Sequence, residues 1–326
     1  MNRIIAATLL LMAELFALPA TAADFATADA PVTIKVGYAA GGAADVAIRM
    51  LLPALQAQLK RPVIVENLGG AGGAVAMSAT LTRSDNGSTL LGLTGDDFTF
   101  APFGAGATSN RANQFRLVYP LRFVDVVLAT SLGNAPVNVA ELVDLAQKEK
   151  KAYTFGNSGL GTSGHIAAAD FQAQTGVGVI HVPFKGASLV LQALLAKQID
   201  FGFLPLNGQL IDLIKQKKVN AVFVASDARS AYLPELPHAG EGQLLKDYKY
   251  RIWPAIFIAK SASERTVGAL YDSISTAVHS AEYTAWARTT GASPFVPMSM
   301  AQTQAFIKSE QERASKAVKK LDLPSN

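Results

Sequence analysis

The stretch that most constrains the fold is residues 152–187, whose composition predicts a strand, a glycine-rich loop, a helix and a second strand in succession. A short run of β-forming residues, Tyr153–Phe155, precedes a loop, Gly156–Gly164, in which glycine, serine, asparagine and threonine predominate. The segment His165–Thr175 has helical composition, and Val177–Val182 is apolar and β-branched. Such a loop leaves free backbone N–H groups at a helix start, where the helix dipole attracts an anion.

A second loop of this kind, Gly37–Asp45, follows a predicted strand, Val32–Val36, and opens a helix. Asp45 has two interpretations: it stabilises the helix start, or it orders the loop and polarises waters that bridge to a ligand. A further glycine loop, Glu66–Gly73, follows the next strand. The alternation of strands and helices predicts an α/β chain with a parallel sheet covered on both faces. Two anion-attracting loops on two such units suggest a ligand held between two lobes.

The composition argues against several classes of function. The length of 326 residues is enough for one large or two medium domains, and the 50% of hydrophobic residues provide ample material for a core. The net charge of +4 is too small and too dispersed to indicate nucleic-acid binding. The absence of cysteine removes disulfides, thiolate ligands and cysteine nucleophiles, and the four histidines lack metal-ligand spacing. We therefore expect neither a metal nor a cofactor.

The first 23 residues have the features of a signal peptide. Arg3 supplies positive charge, Ile4–Phe16 is an apolar run broken only by Glu14, and the small residues near Ala22 and Ala23 suit cleavage. The alternative is a membrane anchor, but the run is shorter than the roughly 20 residues that span a bilayer. We therefore expect export to the periplasm.

The predicted architecture has two lobes joined by two chain crossings. The first lobe comprises residues 24–124 and 250–326, and the second comprises residues 125–249. We place the crossings in Leu117–Ser131, taken as one long strand, and in Tyr250–Ala259.

Local signals mark several helices. Pro53, inside the first helix, predicts a kink or a break. Three pairs have the spacing of a capping box at a helix start: Asn138 with Glu141, Ser261 with Glu264, and Ser299 with Gln302.

Two enzyme classes match parts of the loop at 156–164, and neither match is complete. The G-x-G-x-x-G spacing suggests a dinucleotide, but Pro183–Lys185 stands where an acidic residue is needed. Ser158, Ser163 and His165 suggest a hydrolase, yet neither serine lies in a G-x-S-x-G elbow. A secreted hydrolase-like enzyme acting on a small carboxylate remains the alternative to a binding protein.

Four motifs follow one another along the chain: G-Y-A-A-G-G-A-A-D-V-A-I-R from Gly37, P-V-I-V-E-N-L-G-G-A-G-G from Pro62, Y-T-F-G-N-S-G-L-G-T-S-G-H from Tyr153 and H-V-P-F-K-G-A from His181. In this order and spacing they resemble the Bug family, the periplasmic receptors of tripartite tricarboxylate transporters. The resemblance covers essentially the whole chain after the predicted leader. It implies a two-lobed type II (Venus-flytrap) periplasmic-binding fold, a monomer that binds a small carboxylate in its cleft and delivers it to integral-membrane permease subunits.

The resemblance also implies which residues form the site. Family members hold carboxylates mainly through backbone N–H groups and bridging waters of two loops. Here we expect the N–H groups of Gly41, Gly42, Gly161 and Thr162 to act in this way. The full set of expected site residues is Tyr38, Ala39, Ala40, Gly41, Gly42, Asp45, Gly70, Ala71, Ser158, Gly159, Gly161, Thr162, Ser163, His165, Phe184 and Leu204.

The chain departs from the family pattern at several of its positions. Ala44 stands where the family usually has a hydroxyl residue, and Leu204 stands where it often has an aspartate. Asp96 and Asp97 occupy a segment that is often uncharged. The expected cleft therefore has fewer polar groups on its walls and two additional carboxylates near its edge.

These departures favour a ligand with one carboxylate and an apolar or ring body over a citrate-like polyacid. Tyr38, Phe184 and Phe203 would supply apolar surface. Asp96 and Asp97 would repel a second anionic group, or would accept hydrogen bonds from a hydroxyl or amino group of the ligand. The alternative is that one of them merely caps the short helix that follows.

Overall fold

The computed structural model describes residues 30–83, 87–103, 111–133 and 135–321. The predicted leader, Met1–Ala23, lies outside the described residues. The described chain forms two β-sheets, each packed with helices, as expected for two lobes.

The first sheet joins strands from both ends of the chain. Its members are β1 (Val32–Val36), β2 (Val63–Asn67), β3 (Thr89–Thr94), β4 (Phe115–Pro120) and β11 (Pro254–Ala259). They lie in the order β2-β1-β3-β11-β4. β1 pairs in parallel with β2 and β3, whereas β11 runs antiparallel to β3 and β4. The expectation of a parallel sheet therefore holds for the first three strands, whereas β11 runs in the opposite direction between β3 and β4.

The helices of this lobe pack on the sheet through one extended core. They are α1 (Ala43–Leu59), α2 (Ala74–Leu81), α3 (Gly95–Phe100), α8 (Glu264–Val278) and α9 (Ala281–Thr289). α1 buries Ile48, Leu51 and Leu55, the positions that its helical spacing predicts. The helix continues through Pro53, so the predicted break is absent. Pro53 lies on the exposed face, where water can satisfy the carbonyl that its missing N–H leaves unpaired.

The second sheet is built around one long strand. β5 (Arg122–Thr130) runs antiparallel to β8 (Phe201–Pro205) and β9 (Asn220–Val224). β6 (Tyr153–Asn157) pairs in parallel with β7 (Val179–Pro183) and with β8. The short strands β10 (Arg251–Ile252) and β12 (Ala292–Pro294) pair with the first residues of β5.

Helices cover both faces of the second sheet. They are α4 (Val139–Glu149), α5 (Ser163–Thr175), α6 (Ala187–Leu195) and α7 (Gly208–Lys215). Along β5, Val126 and Leu128 enter one apolar core, while Val127 and Ala129 enter the other. This alternation is the two-residue period of a strand that is buried on both faces.

At each of the two crossings, one residue separates a strand of one sheet from a strand of the other. The run Leu117–Ser131 is not one strand, because it divides at Leu121 into β4 of the first sheet and β5 of the second. The Leu121 N–H donates to the carbonyl of Pro254 at 2.8 Å, which joins the two crossings. In the other crossing, Trp253 separates β10 of the second sheet from β11 of the first.

The last helix, α10 (Met300–Lys320), contacts both cores. Phe306 and Ile307 pack into the core of the first sheet, whereas Ala314 and Val318 pack into a core of the second. Residues near the end of the chain therefore connect the two lobes as well. The lobe boundaries given above, which place all of 250–326 in the first lobe, stay a prediction.

Two of the three predicted helix caps are present at the predicted residues. The Asn138 side chain accepts the Glu141 N–H, and Ser299 with Gln302 forms a complete capping box. The prediction at Ser261 is wrong, because α8 begins two residues later and Ser263 caps it by accepting the Thr266 N–H. Serine occupies both positions, so the local pattern alone did not distinguish them.

A glycine at the start of α3 accommodates the tryptophan of the second crossing. A Cβ atom on Gly95 would lie 1.9 Å from the Trp253 ring, which is fully buried. The Gly95 N–H also donates to the Trp253 carbonyl at 2.8 Å. The crossing therefore depends on the absence of a side chain at this residue.

We predict that Gly95→Ala destabilises the protein by about 2–3 kcal/mol or more, because the added methyl group must displace a buried indole. Gly268→Ala is the matched control: no atom lies within 4 Å of its added Cβ, and the residue is inside α8. The control should be stabilised by about 0.5–1 kcal/mol. Urea unfolding of both variants measures the effect, and equal stabilities would contradict the proposed packing.

Candidate functional site

A cavity lies where the carboxyl ends of strands from the two sheets face each other. Its empty volume, open mouth included, is about 530 Å³. In α/β proteins this end of the strands is the usual position of a ligand. Residues of both lobes and of the second crossing line it: Tyr38, Gly42, Ala43, Thr94, Asp97, Val126, Ser158, Ser163, Gly164, Ala167, Ala187, Phe203, Pro205, Tyr250 and Ile252.

Three helices begin at this cavity. Gly42 is the N-cap of α1, Ser163 is the first residue of α5 and Ala187 is the first residue of α6. In none of these helices does the side chain of the N-cap residue accept a hydrogen bond. Each helix directs the positive end of its dipole at the cavity, an arrangement that favours an anionic group.

Asp45 organises the loop before α1. Its buried carboxylate accepts the Gly41 N–H at 2.9 Å, together with hydrogen bonds from Arg49 and Asn67, also at 2.9 Å. The carboxylate therefore orders the loop, which is one of the roles predicted for it. Protein donors engage both of its oxygens, and the Gly41 N–H that was expected to hold a ligand points to Asp45 instead.

The loop before α5 also satisfies its own N–H groups. Gly159 donates to the Asn157 side chain at 3.0 Å, and Gly161 donates to Nδ1 of His165 at 3.2 Å. The Thr162 N–H donates to the Gly159 carbonyl at 3.3 Å. Contrary to the expectation from sequence, the N–H groups of Gly161 and Thr162 are thus engaged within the loop. The donors left for a ligand belong to the helix starts.

His165 is a structural acceptor in this loop. Burial, and then the neighbouring His181, lower its pKa to about 4, so the ring is neutral at neutral pH and its Nδ1 can accept the Gly161 N–H. The two imidazole rings meet edge to face with centroids 4.3 Å apart. Because Nδ1 of the neutral ring accepts a hydrogen bond, the proton of the ring is on Nε2. Nε2 is the nitrogen that takes the serine proton in a serine hydrolase, so in this arrangement neither ring nitrogen is free to act as a base for Ser163.

The loops of the two lobes are in contact. The Ala39 N–H donates to the Lys185 carbonyl at 2.9 Å, which joins the first lobe to the second. A Cβ atom on Gly159 would lie 2.9 Å from the backbone nitrogen of Gly72. The two loops therefore approach each other so closely at this point that only glycine fits. Gly70 and Ala71 lead into this same turn. These residues hold the lobes together at the cavity's edge.

Asp97 connects the two lobes across the cleft. Its Oδ2 accepts a hydrogen bond from the Tyr38 hydroxyl at 2.7 Å, and its Oδ1 accepts the Ser163 N–H at 2.7 Å. Burial, and then the charge of Asp97, raise the pKa of Tyr38 well above its ordinary value, so the phenol keeps its proton and donates. The expectation that an aspartate here caps the following helix is wrong for Asp97. It caps α5, a helix of the other lobe.

Asp96 has a different environment from its neighbour. Its Oδ1 accepts the Trp253 N–H at 3.2 Å, and no hydrogen bond within the described residues reaches its buried Oδ2. Burial, and then the negative charge of Asp97, raise the pKa of Asp96 to about 8, so its carboxyl group is largely protonated at neutral pH. Asp96 therefore faces the second crossing, whereas Asp97 faces the cavity.

The expected site residues fall into three groups. Tyr38, Gly42, Ser158 and Ser163 line the main cavity, as does Phe203. Others line a smaller adjoining pocket of about 260 Å³, or lie in the loops and cores behind the walls. Gly41 and Leu204 line the smaller pocket, whereas Phe184 packs against a core of the second lobe.

Several lining residues were not predicted. Tyr250 and Ile252 belong to the second crossing, and Thr94 ends β3. Their positions depend on long-range pairing, which leaves no local signal. Ala187 could have been found, because the helix that starts at this residue follows Gly186, as the other two site helices follow their glycine loops.

Within the described residues, no helix is long and apolar enough to cross a membrane. The same part of the chain contains no cluster of three or more histidine, aspartate or glutamate residues that could hold a metal ion.

The chain matches the family model described as "Tripartite tricarboxylate transporter family receptor" over residues 47–323. Among curated proteins, it is 28% identical over 262 residues to a UPF0065 protein in the tcbD-tcbE intergenic region of Pseudomonas sp. strain P51. That match covers 76% of this chain and 74% of the relative.

Solved structures show the same similarity. The periplasmic binding protein BugD superposes with a TM-score of 0.81 at 25% identity, covering 89% of this chain and 97% of BugD. MatC from Rhodopseudomonas palustris, solved with bound malate, has a TM-score of 0.81 at 22% identity. The superposition with MatC covers 88% of this chain and 98% of MatC.

We predict that Asp96→Asn changes how stability depends on pH. The unfolded aspartate loses its proton above the ordinary pKa of 3.8, whereas the folded one keeps it up to about pH 8. The contribution of Asp96 to the free energy of unfolding therefore falls as the pH rises through that range. Asparagine does not titrate, so the stability of the variant relative to wild type should rise by at least about 1 kcal/mol between about pH 5 and pH 8.

Urea unfolding at several pH values measures this difference. Asp272→Asn, at an exposed position on α8, is the control for the general effect of removing a carboxylate. A stability difference for Asp96→Asn that stays constant with pH would show that the folded protein holds Asp96 ionised.

Proposed function

Because this chain belongs to the family of tripartite tricarboxylate transporter receptors, we propose that it captures a small carboxylate between its two lobes and delivers it to a membrane permease. The proposed receptor acts in the periplasm after removal of a leader that ends near Ala22 or Ala23. Its ligand-binding lobes are residues 24–124 with 250–326, and residues 125–249. Its partners are integral-membrane permease subunits, and it acts as a monomer without catalysis.

The convergence of three helix N-termini on one cavity carries this proposal. The starts of α1 and α6, at Gly42 and Ala187, present backbone N–H groups and helix dipoles to this space. The third helix, α5, adds its dipole, while its first N–H, at Ser163, already donates to Asp97. Such donors bind an anion without a cationic side chain, and each hydrogen bond to a charged group contributes about 1.5–3 kcal/mol. A few of them suffice for a dissociation constant of about 1 µM, which corresponds to about −8 kcal/mol.

The remaining walls suit the body of an organic acid. Val126, Phe203 and Ile252 supply apolar surface from the second sheet and the second crossing. MatC, which shares this fold, holds malate in its solved structure, and this supports a small organic acid as the class of ligand. The departures noted in the sequence favour an acid with an apolar or ring body over a polyacid.

The test is to measure the binding of a panel of carboxylates directly, by titration calorimetry and by intrinsic fluorescence. Trp253 is buried in the second crossing, where any movement of the lobes would change its surroundings. We expect at least one acid of the panel to bind at about micromolar concentration, to change the fluorescence and to remain chemically unaltered. Consumption of the acid would instead support the hydrolase-like alternative.

We predict that Ala187→Asp abolishes carboxylate binding while preserving the fold. Ala187 is the first residue of α6 and lines the cavity, so an aspartate there would bring its own charge to the anion position. An acidic residue at this helical position is favourable to the helix, by about 0.3–1 kcal/mol. The variant should therefore unfold no more easily than wild type but bind at least about 100-fold more weakly, a loss of about 2.7 kcal/mol.

Ala281→Asp is the matched control, because it makes the same change at the first residue of α9, where the side chain is exposed. The control should bind as wild type does. If Ala187→Asp also binds normally, the start of α6 does not hold the ligand.

A further inference from the structure

Asp97 is the group in the cavity that the function proposed above does not use. Its side chain is 6% exposed and lines the cavity. The two hydrogen bonds that it accepts come from an O–H group and an N–H group, both of which suit an ionised carboxylate. An ionised carboxylate offers about four lone-pair positions, so each oxygen of Asp97 can accept one more hydrogen bond.

The charge of the cavity is unbalanced. Among the lining residues the structure describes, Asp97 is acidic, and none is lysine, arginine or histidine. The remaining walls are apolar side chains, hydroxyl groups and backbone. A dicarboxylate placed here would bring a second negative charge close to Asp97, and a cavity of low polarity screens that repulsion poorly.

Asp97 also makes α5 different from the other two helices that begin at the cavity. It already accepts the first N–H of α5, at Ser163, so this helix has its negative partner. The starts of α1 and α6 remain, at Gly42 and Ala187. Beside them the smaller pocket contains Ser188, whose buried hydroxyl oxygen has no hydrogen-bond partner in the described part of the chain. The ligand's carboxylate fits at this end, and Asp97 lies at the α5 end.

We infer that Asp97 determines specificity by pairing with a protonated nitrogen of the ligand, so that the protein selects a small zwitterion: a carboxylate that also carries an ammonium or similar cationic group. This inference rests on the proposed function, because the carboxylate end of the ligand is placed by the starts of α1 and α6. The cationic end of the ligand donates hydrogen bonds to the remaining lone pairs of Asp97 and neutralises its charge. A hydroxyl group would satisfy the lone pairs but would leave the charge unbalanced.

The experiment compares acids that share one body and differ at the far end. Suitable probes are 4-(aminomethyl)benzoate, 4-(hydroxymethyl)benzoate, 4-methylbenzoate and terephthalate, with 5-aminopentanoate and adipate as an open-chain pair. Titration calorimetry should show each amino acid binding at least about tenfold more tightly than its neutral and dianionic counterparts, which is about 1.4 kcal/mol. Equal binding of the hydroxymethyl and aminomethyl compounds, or tighter binding of a dicarboxylate, would overturn the inference.

The variant Asp97→Asn tests the residue itself. The amide oxygen can still accept the Ser163 N–H, but the charge is lost. The preference for the amino compounds over the methyl and dicarboxylate compounds should fall by at least about tenfold. Asp96→Asn is the control, because the adjacent Asp96 does not line the cavity and should leave the preference unchanged. An unaltered preference in Asp97→Asn would assign the selectivity to another group.

Two outcomes separate this inference from the function on which it rests. If simple carboxylates bind without any preference for a cationic group, the receptor function stands and the role of Asp97 falls. If benzylamine, which has no carboxylate, binds as tightly as 4-(aminomethyl)benzoate, the carboxylate site proposed at α1 and α6 is wrong. The comparison of ligands on the wild-type protein tests the preference for a zwitterion even if Asp97→Asn fails to fold, since it needs no variant.

Discussion

The hydrogen bonds of the Asp97 carboxylate connect the parts of the structure on which the cavity depends. Tyr38 follows the first strand of one lobe, Ser163 opens a helix of the other, and both donate to this one side chain at 2.7 Å. A buried carboxylate is costly unless donors surround it, so these two bonds stabilise the charge as much as they join the lobes. The same charge then fixes the electrostatic character of the cavity.

The residues just before Asp97 connect the cavity to the crossing between the lobes. Gly95 leaves room for the Trp253 ring, and Asp96 accepts the Trp253 N–H. Three consecutive residues thus contact the tryptophan ring, the backbone of the crossing and the ligand cavity in turn. A movement of the crossing would displace Asp97 through this short helix, because packed interiors transmit displacements rather than absorb them.

The glycine loops have a different role from the one that their sequence suggests. Acceptors on their own side of the cleft, Asp45 and His165, engage the N–H groups of Gly41 and Gly161. Glycine is needed instead where the loops of the two lobes touch, as at Gly159, which lies against the backbone of Gly72. The loops bring helix starts to the cavity, and the helix starts supply the donors.

The sequence by itself determined the α/β class, the glycine loops before the site helices, the caps at Asn138 and Ser299 and the family resemblance, because each rests on local spacing. Only the tertiary structure decided that Asp97 caps α5 and that the extended run beyond Leu117 divides between two sheets. Those outcomes join residues far apart in the chain, and no local pattern records which distant donor a carboxylate will meet. The fold could therefore be predicted from the sequence, whereas the charge and the walls of the cavity depended on how the two lobes pack against each other.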